Sequence, residues 1–108
     1  MFVLIVGCGR VGSTLARRML DEGHTVSCLD EDAESHARLE VGMDKGWEES
    51  GGLFAVGTAL EVDALDAAGV AKADVFIAAT NGDNTNIVIA QIAQRKYNVK
   101  TVIARILD

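Results

Sequence analysis

Short runs of consecutive apolar residues alternate along the chain with stretches whose apolar positions recur every three or four residues. Phe2-Val3-Leu4-Ile5-Val6 is apolar without a break, the pattern of a strand buried on both faces of a parallel sheet. From Val11 the spacing changes. Val11, Leu15 and Met19 recur at intervals of four, Arg17, Arg18, Asp21 and Glu22 take the polar positions, and Gly23 stands where a helix closes in the left-handed region. Thr25 to Leu29 predicts a second strand ending at Asp30. Residues 32–44 predict a weaker helix with Ala33, Ala37 and Val41 on one stripe. Gly42 to Gly52 contains four glycines and reads as a loop or a frayed helix end.

Leu53 to Val56 predicts a third strand with Gly57-Thr58-Ala59 as its exit turn. Val62, Leu65 and Ala68 predict a short helix closed by Gly69. Asp74 to Ala79 predicts a fourth strand that leaves through Thr80-Asn81-Gly82-Asp83. The strongest helix runs from Asn84 to Tyr97, and Thr101 to Ala104 makes a fifth strand. Strands alternating with helices over short connections imply right-handed βαβ crossovers. The predicted fold is therefore α/β: a Rossmann-like doubly wound parallel sheet of about five strands, order 3-2-1-4-5, with helices on both faces. No repeat or linker interrupts residues 1–108, which read as a single nucleotide-binding domain; a six-stranded version would run on past residue 108.

Length and charge narrow what such a domain can do. In 108 residues there is room for one core, and a two-domain enzyme does not fit. The formal charge of −6 argues against nucleic acid as a partner. It leaves room for one anionic ligand, because a helix start binds a phosphate without surplus lysine or arginine. Cys8 and Cys28 are too few for a disulfide scaffold and lack the spacing of a structural metal site, so no metal is expected. No signal peptide and no run of about 20 apolar residues is present, so a cytoplasmic location without membrane insertion is expected.

The chemistry concentrates in Gly7-Cys8-Gly9-Arg10-Val11-Gly12. A G-x-G-x-x-G pattern alone is weak, but this one follows an apolar strand, opens a helix, and precedes Asp30 by 18 residues. A separation of about 20 is that of an acid placed to hold a ribose. Gly7 allows the tight turn, Gly9 lets the backbone approach a pyrophosphate, and Gly12 allows close packing of helix on strand. Asp30, with Glu31 beside it, would grip the ribose hydroxyls and repel a 2′-phosphate, favouring NAD or an adenine nucleotide over NADP. Arg10 would aim toward the phosphate, Cys8 would pack within the turn, and Asn84-Thr85-Asn86 would cap the long helix or, second to that, reach the crevice. That helix carries Ile87 and Ala90 away from its Val88-Ile89-Ile92-Ala93 stripe, which predicts a subunit interface or, equally, a surface covered by a further C-terminal segment.

Residues 2–12, Asp30, Ala78-Ala79-Thr80-Asn81 and Ala104-Arg105 resemble the N-terminal nucleotide-binding domain, RCK or KTN, of TrkA-type potassium-uptake regulators. The resemblance covers nearly the whole chain. It implies a cytoplasmic regulatory domain, peripheral to the inner face of the membrane, that binds NAD(H), or ATP, ADP or AMP at the same site. It further implies assembly into a homo-oligomeric dimer or ring that gates a membrane potassium channel or transporter. The implied binding positions are Gly7, Gly9, Arg10, Val11 and Gly12 at the phosphates and Asp30 at the ribose. Thr58 and Ala59 would lie near the adenine, Ala79, Thr80 and Asn81 along the crevice, and Arg105 at its edge. Two segments depart from the family pattern: Gly57-Thr58-Ala59-Leu60 replaces Gly-Asp-Ala-Thr, and 42–52 is rich in glycine around Trp47.

The alternative is the cofactor-binding half of an NAD-dependent oxidoreductase. That chemistry needs a proton-transfer group and a substrate pocket facing the nicotinamide. His24 and His36 fall before the second strand and on the second helix, away from the crevice, so the reading is of a non-enzyme.

Overall fold

In a computed structural model, which describes residues 1–107, five parallel strands form one sheet in the order β3-β2-β1-β4-β5. The strands are β1 (Phe2–Val6), β2 (Thr25–Asp30), β3 (Leu53–Val56), β4 (Val75–Ala78) and β5 (Thr101–Ala104). Between them run α1 (Arg10–Asp21), α2 (Ser35–Leu39), α3 (Val62–Ala68), a single 3₁₀ turn at Val70–Lys72, and α4 (Asp83–Tyr97). β1 is central, with Ile5 in register with Cys28 of β2 and Ile77 of β4. The sheet and its order are those that the sequence predicts.

Alternation along the central strands splits the core into two layers. Leu4 and Val6 of β1 and Phe76 and Ala78 of β4 face Leu65 of α3 and Ile89 and Ala93 of α4. Val3, Ile5, Val26, Cys28, Val75 and Ile77 face the opposite way, toward Ala16 of α1, Leu39 of α2 and Trp47. Burial on both faces is what makes β1 apolar at every position.

The helices depart from prediction in three places. On α1 the buried residues are Gly12, Ser13 and Ala16, while Leu15 and Met19 are half-buried and Val11 is 39% exposed. The helix lies so close to the turn before it that only small residues fit the contact line, and the larger apolar ones flank it. α2 covers five residues instead of the expected 32–44, and it buries Ser35 and Leu39; Ala33, Ala37 and Val41 are exposed. The Asp32 carboxylate accepts the Glu34 N–H, a local turn that delays helix entry. Third, α4 starts at Asp83 with Gly82 as its N-cap and no capping side chain. Its buried line is Asn86, Ile89 and Ala93, so Val88 joins Ile87 on the exposed side.

The glycine-rich segment before β3 is held by one residue. Trp47 is fully buried, its indole N–H donates to the Leu53 carbonyl at 2.9 Å, and its amide donates to Glu40 at 2.7 Å. A Cβ on Gly52 would fall 2.2 Å from the indole, so a glycine is needed there to admit the ring.

Candidate functional site

From β1 the chain winds outward in both directions, through β2 and β3 on one side and β4 and β5 on the other. The loops at the C-terminal ends of the strands part at this reversal and leave a crevice, the usual ligand position in an open α/β sheet. Here it is a pocket of about 340 Å³ lined by the glycine turn, the end of β2, the exit of β3 and the turn after β4.

The glycine turn forms one wall. Gly7 donates its N–H to the Leu29 carbonyl at 2.8 Å and has φ +96°, in the region that favours glycine. A Cβ there would stand 2.6 Å from the Thr80 amide nitrogen, so the turns after β1 and β4 abut. A Cβ on Gly12 would lie 1.8 Å from the Gly7 carbonyl oxygen, which fixes how closely α1 sits on its own turn. Gly9 is different, because nothing lies within 4 Å of the place its Cβ would take. It is the N-cap of α1 and makes no side-chain cap bond. The first-turn N–H groups of α1 therefore adjoin an open cradle, a fit for an oxyanion.

Asp30 forms the opposite wall and is bound to the first. Its Oδ2 accepts the Cys8 N–H at 2.7 Å and its Oδ1 accepts the Asp32 N–H at 2.9 Å. A carboxylate has about four lone-pair positions, so two acceptor positions are left over for hydroxyl donors. Cys8 packs beneath the turn, fully buried, with its thiol directed at the Leu29 carbonyl. The neighbouring Cys28 thiol is pushed far up from its ordinary pKa by its contact with Cys8 and by burial, and stays protonated.

The turn after β4 is organised by Asn86, which is fully buried one turn into α4. Its Oδ1 accepts the Thr80 N–H at 2.9 Å and the Thr80 hydroxyl at 2.6 Å. Its Nδ2 donates to the Thr80 carbonyl at 3.0 Å and the Arg105 carbonyl at 2.8 Å. The side chain expected to cap the helix thus clamps the crevice turn to the end of β5.

Of the residues singled out in the sequence, Gly7, Gly9, Asp30, Glu31, Thr58, Ala79, Thr80 and Asn81 line the pocket together. Cys8, Gly12 and Ala59 are buried behind it, and Arg10 and Val11 are exposed on α1 outside the lining. Arg105 meets the site through its backbone: its N–H donates to Ala78 and its carbonyl accepts from Asn86. The lining also includes Val6, Arg38, Gly57 and Gly82, which sequence reasoning did not assign, and Thr85, which it read first as a helix cap. Gly57, Gly82 and Thr85 lie within predicted exit turns or beside one, so extending the sites along those turns finds them. Arg38 carries no such signal, since packing alone brings α2 to the rim. Neither His24 nor His36 is among the lining residues.

The strand order and the crevice at its reversal define the class, a Rossmann-like α/β domain. Comparison with known proteins narrows it: the TrkA-N domain family model matches residues 3–108. The chain is 40% identical over 108 residues to the Trk system potassium uptake protein TrkA of Streptomyces coelicolor, covering all of this chain and 45% of that protein. It is 34% identical over 106 residues to the TrkA homolog of Methanothermobacter thermautotrophicus, covering 98% of this chain and 45% of that one. The chain thus spans about half the length of these relatives. Among solved structures, the TrkA-N domain of the inner membrane protein ybaL from Escherichia coli has a TM-score of 0.76 at 25% identity, covering 96% of this chain and 71% of that one. The Kef CTD of Shewanella denitrificans, in AMP-bound form, has a TM-score of 0.79 at 24% identity, covering 100% of this chain and 60% of that one. The chain belongs to the TrkA-N domain family.

Proposed function

We propose that the crevice binds the adenosine-phosphate part of NAD(H), or of ATP, ADP or AMP, and that the chain is the nucleotide-sensing domain of a potassium uptake system. The observation that carries this reading is the pairing, across one pocket, of the open cradle at Gly9 with the Asp30 carboxylate. Phosphates would lie over Gly9 and the first turn of α1, and ribose hydroxyls would take the spare acceptor positions of Asp30. The adenine would then lie toward Gly57 and Thr58, leaving Ala79, Thr80 and Asn81 for the rest of a dinucleotide. Asp30 and Glu31 together outweigh Arg38 at the pocket rim, which disfavours a 2′-phosphate and so NADP. The AMP-bound Kef CTD, whose fold this chain shares, puts AMP among the nucleotides to be tested.

Regulation requires only that the nucleotide bind one shape of an assembly better than another; the population shifts by that difference in affinity. The potassium uptake names of the relatives support a membrane channel or transporter as the partner, met from the water side. No helix among the described residues is long and apolar enough to cross a membrane. Exposed Ile87 and Val88 on α4 and Ile103 on β5 support a homo-oligomeric contact.

Calorimetric titration with NAD⁺, NADH, ATP, ADP, AMP and NADP⁺, repeated on Asp30→Ala, tests the site. Expected is binding of at least one nucleotide lacking a 2′-phosphate, which the substitution weakens more than tenfold. Preference for NADP⁺, or no binding of any of them, overturns it. Hydride exchange from bound NADH to a small carbonyl compound would favour the oxidoreductase alternative. Light scattering with and without nucleotide tests assembly, and a monomer under both conditions counts against it.

A further inference from the structure

We propose that His36, Glu40 and Glu48 form a binding site for a divalent transition-metal cation, with zinc the ion suited to one imidazole and two carboxylates. One ring nitrogen and one oxygen from each glutamate all lie within 4.8 Å of one another. His36 Nε2 is 2.8 Å from Glu48 Oε1, while the other ring nitrogen, Nδ1, is 3.9 Å from Glu40 Oε1; an ion would take one of these nitrogens, and the carboxylate facing the other would turn toward it. Ligand atoms on a tetrahedral zinc stand roughly 3.4 Å apart, given bonds of about 2.0–2.2 Å. Glu48, 56% exposed, holds His36 Nε2 through both carboxylate oxygens and would exchange those hydrogen bonds for the ion to reach that arrangement.

Groups outside the trio orient two of its members. The Phe54 ring and the imidazole pack in a T-shaped arrangement, 5.3 Å between centroids. Glu40 Oε2 accepts the N–H of the buried Trp47 at 2.7 Å, which leaves Oε1 directed at His36. Such outer contacts are what hold metal ligands in place. Among the described residues neither glutamate pairs with a lysine or arginine, so two carboxylates surround one imidazole and a cation would balance the charge. The three ligands come from α2, its C-cap and the segment before β3, which are otherwise joined by a link through Gly42 and Gly46. A bound ion would cross-link that loop to α2, the helix whose Arg38 reaches the crevice.

The test is titration of the chelator-treated chain with Zn²⁺ alone, in competition with a chromophoric chelator. Expected is one equivalent bound, with affinity reduced at least tenfold by Glu48→Gln and by His36→Ala, and unchanged by Asp44→Asn in the same loop. The exposed position of Glu48 keeps its variant folded, which circular dichroism verifies. Cobalt in place of zinc reads the ligand type: nitrogen and oxygen ligation gives no thiolate charge-transfer band. Failure to bind, binding indifferent to Glu48→Gln and His36→Ala, or a thiolate band from Cys8 or Cys28 overturns the proposal.

Discussion

Asp30 Oδ2 accepts the Cys8 amide proton at 2.7 Å, so the acid at the end of β2 and the glycine turn after β1 are one hydrogen-bonded unit. The group proposed to hold a ribose also fixes the loop proposed to hold the phosphates. Asp30→Ala should then lower stability as well as affinity. The expected loss is about 1.5–3 kcal/mol by urea unfolding, the range for hydrogen bonds to a charged acceptor. A variant as stable as the parent would show that the bond holds nothing in place.

The glycines of the turn should separate into two kinds. Gly12→Ala forces a Cβ against the Gly7 carbonyl oxygen and should cost about 3 kcal/mol or more. Gly9→Ala meets no atom and should change stability by less than about 1 kcal/mol while filling the cradle. Unfolding curves paired with nucleotide titration check both. Gly9→Ala with full stability and undiminished binding would remove the phosphates from that wall.

Asn86→Ala leaves the Thr80 N–H and the Arg105 carbonyl without their partner. Two such groups left unsatisfied should cost about 2–6 kcal/mol. Hydrogen exchange should speed up at Thr80 ahead of the β1 amides. Uniform acceleration across the sheet would mean that Asn86 supports the whole core and not this turn.

Cys28 gives a pH dependence whose sign is fixed. Its folded-state pKa is raised, by contact with Cys8 and by burial, so the native chain keeps the proton where the unfolded chain loses it. The unfolded state then binds fewer protons, and stability falls as pH rises above the ordinary thiol value of about 8.5. The slope from this group approaches about 1.4 kcal/mol per pH unit. Stability of Cys28→Ala should decline less steeply from pH 9 to 10.5 than that of the parent. Equal slopes would place the alkaline sensitivity elsewhere.

The parts of this structure legible in the sequence are those set by local pattern. An unbroken apolar β1, glycines at 7, 9 and 12, and an acid closing β2 lead directly to the sheet, its order and two walls of the crevice. What depends on packing between distant segments was not legible. Val11, Leu15 and Met19 form a helical stripe by spacing, but the close approach set by Gly12 gives the buried line to Ser13 and Ala16. Asn86 resembles a cap in sequence, and only the fold places the Thr80 and Arg105 carbonyls within its reach. Arg10 stands in the turn yet lies outside the lining, because backbone spacing does not settle where a long side chain points.

Trp47 is the chain's one tryptophan, closed in against Gly52 and bonded to the Leu53 carbonyl. That makes it a built-in optical reporter for a single locality. Its emission will shift to the red when the segment before β3 comes loose, whether or not the central sheet has yet melted. A fluorescence transition that precedes loss of the β-sheet circular dichroism signal would then time the release of one corner of the molecule.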